Sequence, residues 1–389
     1  MNTPNIRFKG FTDDWEVRKV SEITKFHKQG FYTTEDYADD KKYYLLRGTD
    51  LTENKLILND TPKINATEKD YQAFKAEIGD FLIVRSGTVG TYGIVYDNIP
   101  AIFGSYLIDF RFDMEQVTNE FFGYFYQSES FKVQLRQIVQ QSANTNINAE
   151  NIKSTSIMLP TLAEQRKISE YLINLDNLIT LHQRKCDSLK QVKKYMLQKM
   201  FPKHGEKVPE IRFAGFTGDW ELRKLGEIAD EILAGGDIDK TKAVESGVYP
   251  IYANALTNDG VVGYYNDYYR VKAPAVTVTG RGEVGHAKAR MVDFTPVVRL
   301  LAIRSNHDSY FLENAINLYP VMMESTGVPQ LTVPQLSAYN IKVPKDIEEE
   351  KQIGEYFNNL DNLITLHQRK SDSLKEIKKF MLQNMFPQK

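Results

Sequence analysis

The side chains with chemical potential in this 389-residue chain gather around two glycine turns. Ser86-Gly87-Thr88-Val89-Gly90 is flanked by Arg85 and Tyr92, and Arg281-Gly282-Glu283-Val284-Gly285 is followed by Lys288 and Arg290. Lysine and arginine neutralise phosphates, the planar guanidinium fork matches the edge of guanine, and hydroxyls reach either bases or phosphates. Two further clusters mix aromatics with base: Tyr43 and Tyr44 with Arg47, and Tyr264-Tyr265-Asn266-Asp267-Tyr268-Tyr269-Arg270. The candidate DNA contacts are therefore Arg47, Arg85, Ser86, Thr88, Tyr92, Arg270, Arg281, Lys288 and Arg290. Arg85 suits base reading, and Lys288, a flexible point charge, suits a phosphate. Each cluster alone is also what a solvated turn or edge strand contains.

Signatures of catalysis are missing. Gly280-Arg281-Gly282-Glu283-Val284-Gly285 has the G-x-G-x-x-G spacing of a dinucleotide site, but that site needs a helix to open there, and Ala289 to Phe294 alternates as a strand does. A hairpin turn explains the glycines. No phosphate-loop motif occurs, the six histidines lack metal-ligand spacing, and no Pro-Pro pair is present of the kind amino-methyltransferases use to grip a base. Glu349-Glu350-Lys351 resembles half of a nuclease motif but sits where a heptad helix begins, so a solvated helix start is expected. The lone Cys186 excludes a disulfide framework and a cysteine zinc site. A net charge of −2 leaves any DNA binding to local patches. With no apolar run near the ~18 residues of a membrane span, and no apolar core of a signal peptide, a cytoplasmic protein is expected.

These turns must be positioned by a scaffold, and the scaffold is written twice. Residues 5–23 return as 210–228 with 13 of 19 identical, and residues 164–202 return as 349–387 with 28 of 39 identical, including LDNLITLHQRK at 175–185 and 360–370. Trp15 and Trp220 are equivalent copies. Between the repeats the sequences diverge, as expected of a shared frame that presents two different recognition surfaces.

The repeated tails carry a heptad seam: Ile168, Leu175, His182, Leu189 and Met196, with Tyr171, Leu178, Lys185 and Val192 as the partner series. The second copy has Ile353, Leu360, His367, Leu374 and Met381 with Tyr356, Leu363, Lys370 and Ile377. A helix this long cannot leave an apolar stripe bare, so the two copies are expected to pair antiparallel, one body at each end, with His182 and His367 fixing register. Proline at 202 and 387 stops each helix. In the bodies, 81–84, 92–96 and 106–112 read as strands followed by a helix from 118 to 140; strands at 275–279 and 296–303 precede a helix from about 309. The fold class is mixed α/β (α+β): two globular bodies on two long antiparallel coiled-coil helices, a pseudo-two-fold tandem duplication. The expected domains are 1–161, the helix 162–202, 203–345, and the helix 346–389.

Over its whole length the chain resembles the specificity subunits of type I restriction-modification systems. The residues that carry the resemblance are the paired RFxGFTxDWExRK segments, the body endings Met158-Leu159-Pro160 and Lys342-Val343-Pro344, and the paired EYxxNLDNLITLHQRKxDSLK helices. The resemblance implies a non-enzymatic subunit whose bodies are target-recognition domains, each reading half of a bipartite double-stranded DNA sequence. It implies as partners two modification subunits, which bind S-adenosylmethionine and methylate adenine, and two restriction subunits driven by ATP, with no cofactor on this chain. The competing expectation is a coiled-coil scaffold that joins two protein partners.

Overall fold

In the computed structural model, which describes residues 3–85, 91–140, 148–319 and 330–387, the duplicated sequence folds the same way twice. Each lead-in segment pairs antiparallel with the end of its body: Glu16–Lys19 with Ser156–Leu159, and Glu221–Lys224 with Asn340–Val343. The chain packs as two units, Met1–His182 with Arg369–Lys389, and Gln183–Gln368. Among the described residues no helix is long and apolar enough to cross a membrane.

Each unit holds a sheet with the same strand order. In unit 1 it runs Thr24–Gln29, Leu107–Phe112, Phe81–Val84, Tyr92–Ile94, extended by the short hairpin Lys55–Leu56 and Leu51–Thr52. In unit 2 it runs Glu231–Ala234, Leu300–Arg304, Ala275–Thr279, Ala287–Arg290. Phe-Leu-Ile-Val at 81–84 and the wholly buried Ala275–Thr279 are continuous apolar or β-branched runs because both faces of the central strands are covered. A smaller three-stranded sheet repeats as well: Tyr43–Leu46 lies parallel to Ala101–Phe103, and Tyr249–Tyr252 parallel to Thr295–Pro296.

Two expected elements are each broken in two. The helix from 118 to 140 is Asn119–Gln127 and Glu129–Gln140, interrupted at Ser128, whose backbone is extended. The strand from 296 to 303 is Thr295–Pro296 and Leu300–Arg304, separated by a reversal in which Arg299 adopts φ +71°. Helix starts are capped locally: Thr118 Oγ1 accepts from Phe121 N, and Asp308 Oδ1 from Phe311 N.

The repeated tails are helices Leu162–Met200 and Ile347–Asn384, of 39 and 38 residues, each contributing one half to each unit. They run antiparallel. In unit 2, Cys186 Sγ lies 3.6 Å from Gln368 Oε1 while Lys193 Nζ meets the Asp361 carboxylate at 2.7 Å. The equivalent pair in unit 1 is Lys378 with Asp176, at 2.6 Å.

The seam corrects half of the heptad assignment. Leu175, Leu189, Leu360 and Leu374 pack inward as expected, but Leu178 and Leu363 are each 43% exposed. The true partner series lies one residue further along: Leu172, Ile179, Cys186, Lys193 and Met200, matched by Phe357, Ile364, Ser371, Lys378 and Met385. Its lysines bury their stems and give their ammonium groups to Asp361 and Asp176, so hydropathy alone does not mark them. His182 and His367 are half-buried, each engaged by a neighbour.

Each helix end closes a core. Phe386 packs on Phe121 at 5.4 Å in unit 1, and Phe201 on Trp220 at 5.8 Å and Phe311 at 5.4 Å in unit 2. Helix starts are clamped by a duplicated ion pair. Arg7 Nε and Nη2 donate to Glu164 at 2.7 and 2.8 Å, and Arg212 Nε and Nη2 donate to Glu349 at 2.7 Å each. Glu349 and Glu350 are therefore fully buried, not solvated as expected of the Glu-Glu-Lys run. Arg212 neutralises the first, and His307 Nδ1 lies 2.8 Å from the second.

Candidate nucleic-acid interface

The strand registers make the two glycine segments equivalent in position: Ile83 pairs with Tyr92 around residues 84–91, and Val278 with Ala287 around residues 279–286. The turn at 281–285 is a tight reversal with Gly282 at φ +75° and Gly285 at φ +87°. Gly280 is required for another reason: a Cβ there would fall 2.2 Å from the carbonyl oxygen of Arg299. A strand, Ala287–Arg290, follows the turn, so the glycines serve a hairpin and not a dinucleotide.

The nominated residues separate into surface and framework. Arg281 and Arg270 are exposed. Arg85 is half-buried at the end of its strand, where its N–H donates to Tyr106 O at 2.9 Å and Nη1 reaches Ser105 O at 3.4 Å. Ser86 and Thr88 lie outside the described residues. Arg47 acts on the fold: its N–H donates to the buried carboxylate of Asp50 at 2.7 Å, and its guanidinium lies 3.5 Å from that carboxylate and 2.9 Å from Asp60 O.

Three nominated residues are drawn inward. Tyr92, expected beside the turn, is 2% exposed and stacks on Phe81 with ring centroids 4.7 Å apart, because period-two alternation turns its side chain into the core. Arg290 is buried under Tyr252, 3.7 Å from the ring centroid, and bonded to Asp259 Oδ2 at 2.5 Å and Thr277 Oγ1 at 3.0 Å. Neither is placed to meet a nucleic acid. Lys288 is half-buried and pairs with Glu313 at 3.2 Å, which offsets its charge.

What sequence reading missed is mostly aromatic. Tyr106, 70% exposed, stands beside Arg85 but reads as the first residue of a strand. Lys28, Lys42 and Lys63 sit over the rings of Phe74, Tyr43 and Tyr44 at 3.9, 4.7 and 5.0 Å, contacts between residues mostly distant in sequence. The tyrosines at 268 and 269 are exposed next to Arg270, as an aromatic and basic surface requires.

Fold and surface together define a duplicated scaffold: two related α+β units built on a shared pair of long helices. The chain belongs to the family of the type I restriction modification DNA specificity domain, whose model matches residues 12–191 and again 217–376. It is 23% identical to the putative type I restriction enzyme MjaX specificity subunit of Methanocaldococcus jannaschii, over 94% of this chain and 91% of that protein. It is 26% identical to a putative type I specificity subunit of Mycoplasma pneumoniae, S.MpnORF507P, over 54% and 56% of the two chains. The crystal structure of the type I restriction-modification S subunit from M. genitalium superposes over the full length of both chains with a TM-score of 0.63 at 15% identity, which identifies the fold.

Proposed function

We propose that this chain is the DNA sequence-specificity subunit of a type I restriction-modification complex, without catalytic activity of its own, and that each body reads one half of a bipartite duplex target. The observation that carries this reading is the contrast between frame and turn. Hairpin registers, ion-pair clamps and helix seams repeat position for position, while Ser86 and Thr88 in one copy become Arg281 and Glu283 in the other. A repeated frame around different turn chemistry suits reading two unlike half-sites.

The duplication extends to an outward apolar surface, which supports docking of two copies of one partner. Unit 1 exposes Leu178, Leu181, Ile377 and Phe380; unit 2 exposes Leu363, Leu366, Val192 and Tyr195, the same four positions of the repeat. We assign these quartets to two modification subunits, which would bring S-adenosylmethionine, with two restriction subunits bringing ATP-driven cleavage. The test is exchange of residues 24–160 for the body of a relative, followed by mapping of methylated adenines in DNA treated with the reconstituted methyltransferase. One half of the target is expected to change. A change in both halves removes modular reading, and complexes without sequence-specific duplex binding favour a protein-joining scaffold.

A further inference from the structure

Unit 1 contains a half-open cavity of about 710 Å³ that the DNA reading does not use. Three tyrosines, Tyr92, Tyr96 and Tyr124, form part of its wall, and Glu53, Asp97, Glu120 and Asp176 place four carboxylates around it against the single ammonium of Lys55. Asp176 accepts from Tyr124 Oη at 2.8 Å and Asn54 Nδ2 at 3.1 Å, and Glu120 accepts from Tyr96 Oη at 3.1 Å. Lys378 offsets Asp176 and lies over the Tyr124 ring at 5.5 Å, so Glu53, Asp97 and Glu120 and the rings of Tyr92 and Tyr96 are what remain for a ligand. The phenols of Tyr92 and Tyr124 are pushed well above the usual tyrosine range by burial, then by the field of Asp176.

The arrangement is built into unit 1. The Tyr92 ring reaches the cavity because residue 123 is glycine: a Cβ there would lie 2.3 Å from Tyr92 Cζ. The Tyr92 hydroxyl, on a side chain 2% exposed, has no hydrogen-bond partner among the described residues. In unit 2 the registers put Ala287 at the position of Tyr92, and the helix caps put Glu313 at the position of Gly123. Glu313 is satisfied there by Lys288 and by the N–H of Ala289 at 2.9 Å. The space that the Tyr92 ring takes beside Gly123 in unit 1 belongs in unit 2 to the Glu313 side chain.

We propose that this cavity is a receptor for an organic cation, an alkylammonium or guanidinium group, at one site per chain. Aromatic faces attract such a group through their quadrupoles, the carboxylates supply charge-assisted acceptors, and Tyr92 Oη offers a further acceptor at the cavity wall. A phosphate backbone is repelled by the same carboxylates, so the site goes beyond the DNA reading and does not rest on it. Two sources carry this chemistry: a basic side chain of a partner polypeptide, or a free polyamine. The first is favoured by position, since Asn177 lines the cavity and Leu181, one helical turn on, belongs to the exposed apolar quartet.

The experiment is calorimetric titration of the full chain, alone and assembled with its modification subunits, with argininamide and with spermidine. Saturable binding of either probe at one site per chain supports the receptor. Loss of that binding on assembly identifies a partner side chain as the natural occupant; retention identifies a free cation. Glu120→Gln is expected to weaken the probe roughly tenfold, with a smaller loss for Tyr92→Phe. Asp97→Asn, on the exposed rim, gives the same reading should Glu120→Gln fail to fold. No binding by either probe, binding indifferent to these substitutions, or two sites per chain would overturn the proposal.

Discussion

Asp109 offers the sharpest test of the energetics of unit 1. It lies in the strand Leu107–Phe112, fully buried, and neither carboxylate oxygen has a hydrogen-bond donor among the described residues. Arg111 Nε is 3.5 Å away but lies closer to Asp80, at 2.8 Å, while Nη1 pairs with Glu77 at 2.7 Å. Burial, followed by the charge of Asp80, pushes the Asp109 carboxyl up to about 8. An unfolded aspartate titrates near ~3.9. Because the folded value is the higher one, the folded unit holds a proton that the unfolded chain has lost, and stability falls as pH rises from about 4 to about 8. The slope is roughly 1.4 kcal/mol per pH unit for one proton, and sharing of Arg111 with Asp80 reduces the total, so we expect a loss of about 2 to 4 kcal/mol across this window. Asp109→Asn keeps the shape and removes the titration. Urea denaturation followed by Trp15 fluorescence in a Trp220→Phe background reports unit 1, and the Asn variant should gain about 2 to 4 kcal/mol over the parent at pH 8.5 and little at pH 5. A variant less stable than its parent at pH 8.5 would show that Asp109 is ionised and held by Arg111, refuting the reasoning.

Arg212→Ala should destabilise unit 2 by about 3 kcal/mol, because it strands the buried Glu349 carboxylate; Arg212→Ala with Glu349→Gln should recover part of that loss in thermal denaturation. His307 is raised above its ordinary value first by its hydrogen bond to Glu350, so its contribution is complete below pH ~6.5 and disappears as pH climbs through the raised value. His307→Gln should flatten that part of the stability profile of unit 2, read by Trp220 fluorescence. Leu181→Asp with Leu366→Asp should prevent co-purification of modification subunits while leaving the melting of the free chain nearly unchanged. Arg281→Ala should weaken DNA binding by the assembled complex by ~1 to 3 kcal/mol with relaxed choice at one base if it reads a base, or weaken all sequences alike and reduce the salt slope by about one if it meets a phosphate; titrations at two salt concentrations distinguish the two, and unchanged binding removes this turn from the interface.

The frame was legible because repetition exposes it. Two copies of one segment reveal what must be kept, and the strands 81–84 and 275–279 lie where their apolar runs put them. The failures have a common physical cause: polar atoms buried by partners far along the chain. Cys186 and Lys193 belong to the seam, yet hydropathy favours Leu178 and Val192, which face outward. Glu349 and Arg290 look like solvated charges until Arg212 and Asp259 are brought to them across 137 and 31 positions. For Glu349 the signal was present, since Arg7 and Glu164 recur as Arg212 and Glu349 in the two repeats. Nothing near Tyr92 announces that Gly123 makes room for its ring.

The placement of these buried pairs explains how a chain can vary its recognition surface without losing its fold. The residues that join body to helix are the repeated ones: Trp15 and Trp220 in the cores, the Arg–Glu clamps, and Phe386 and Phe201 at the helix ends. Each brings large buried area or a compensated buried charge, and breaking such a contact costs several kcal/mol, a substantial share of a unit's stability. The second turn draws on none of these contacts. Arg281 and Arg270 are exposed, and exposed substitutions away from packed features usually shift stability by no more than about 0.5 kcal/mol. Exposed residues of this kind can therefore change almost independently of folding, while changes in the frame are resisted in both copies. That separation of energies is the physical condition for a modular reader.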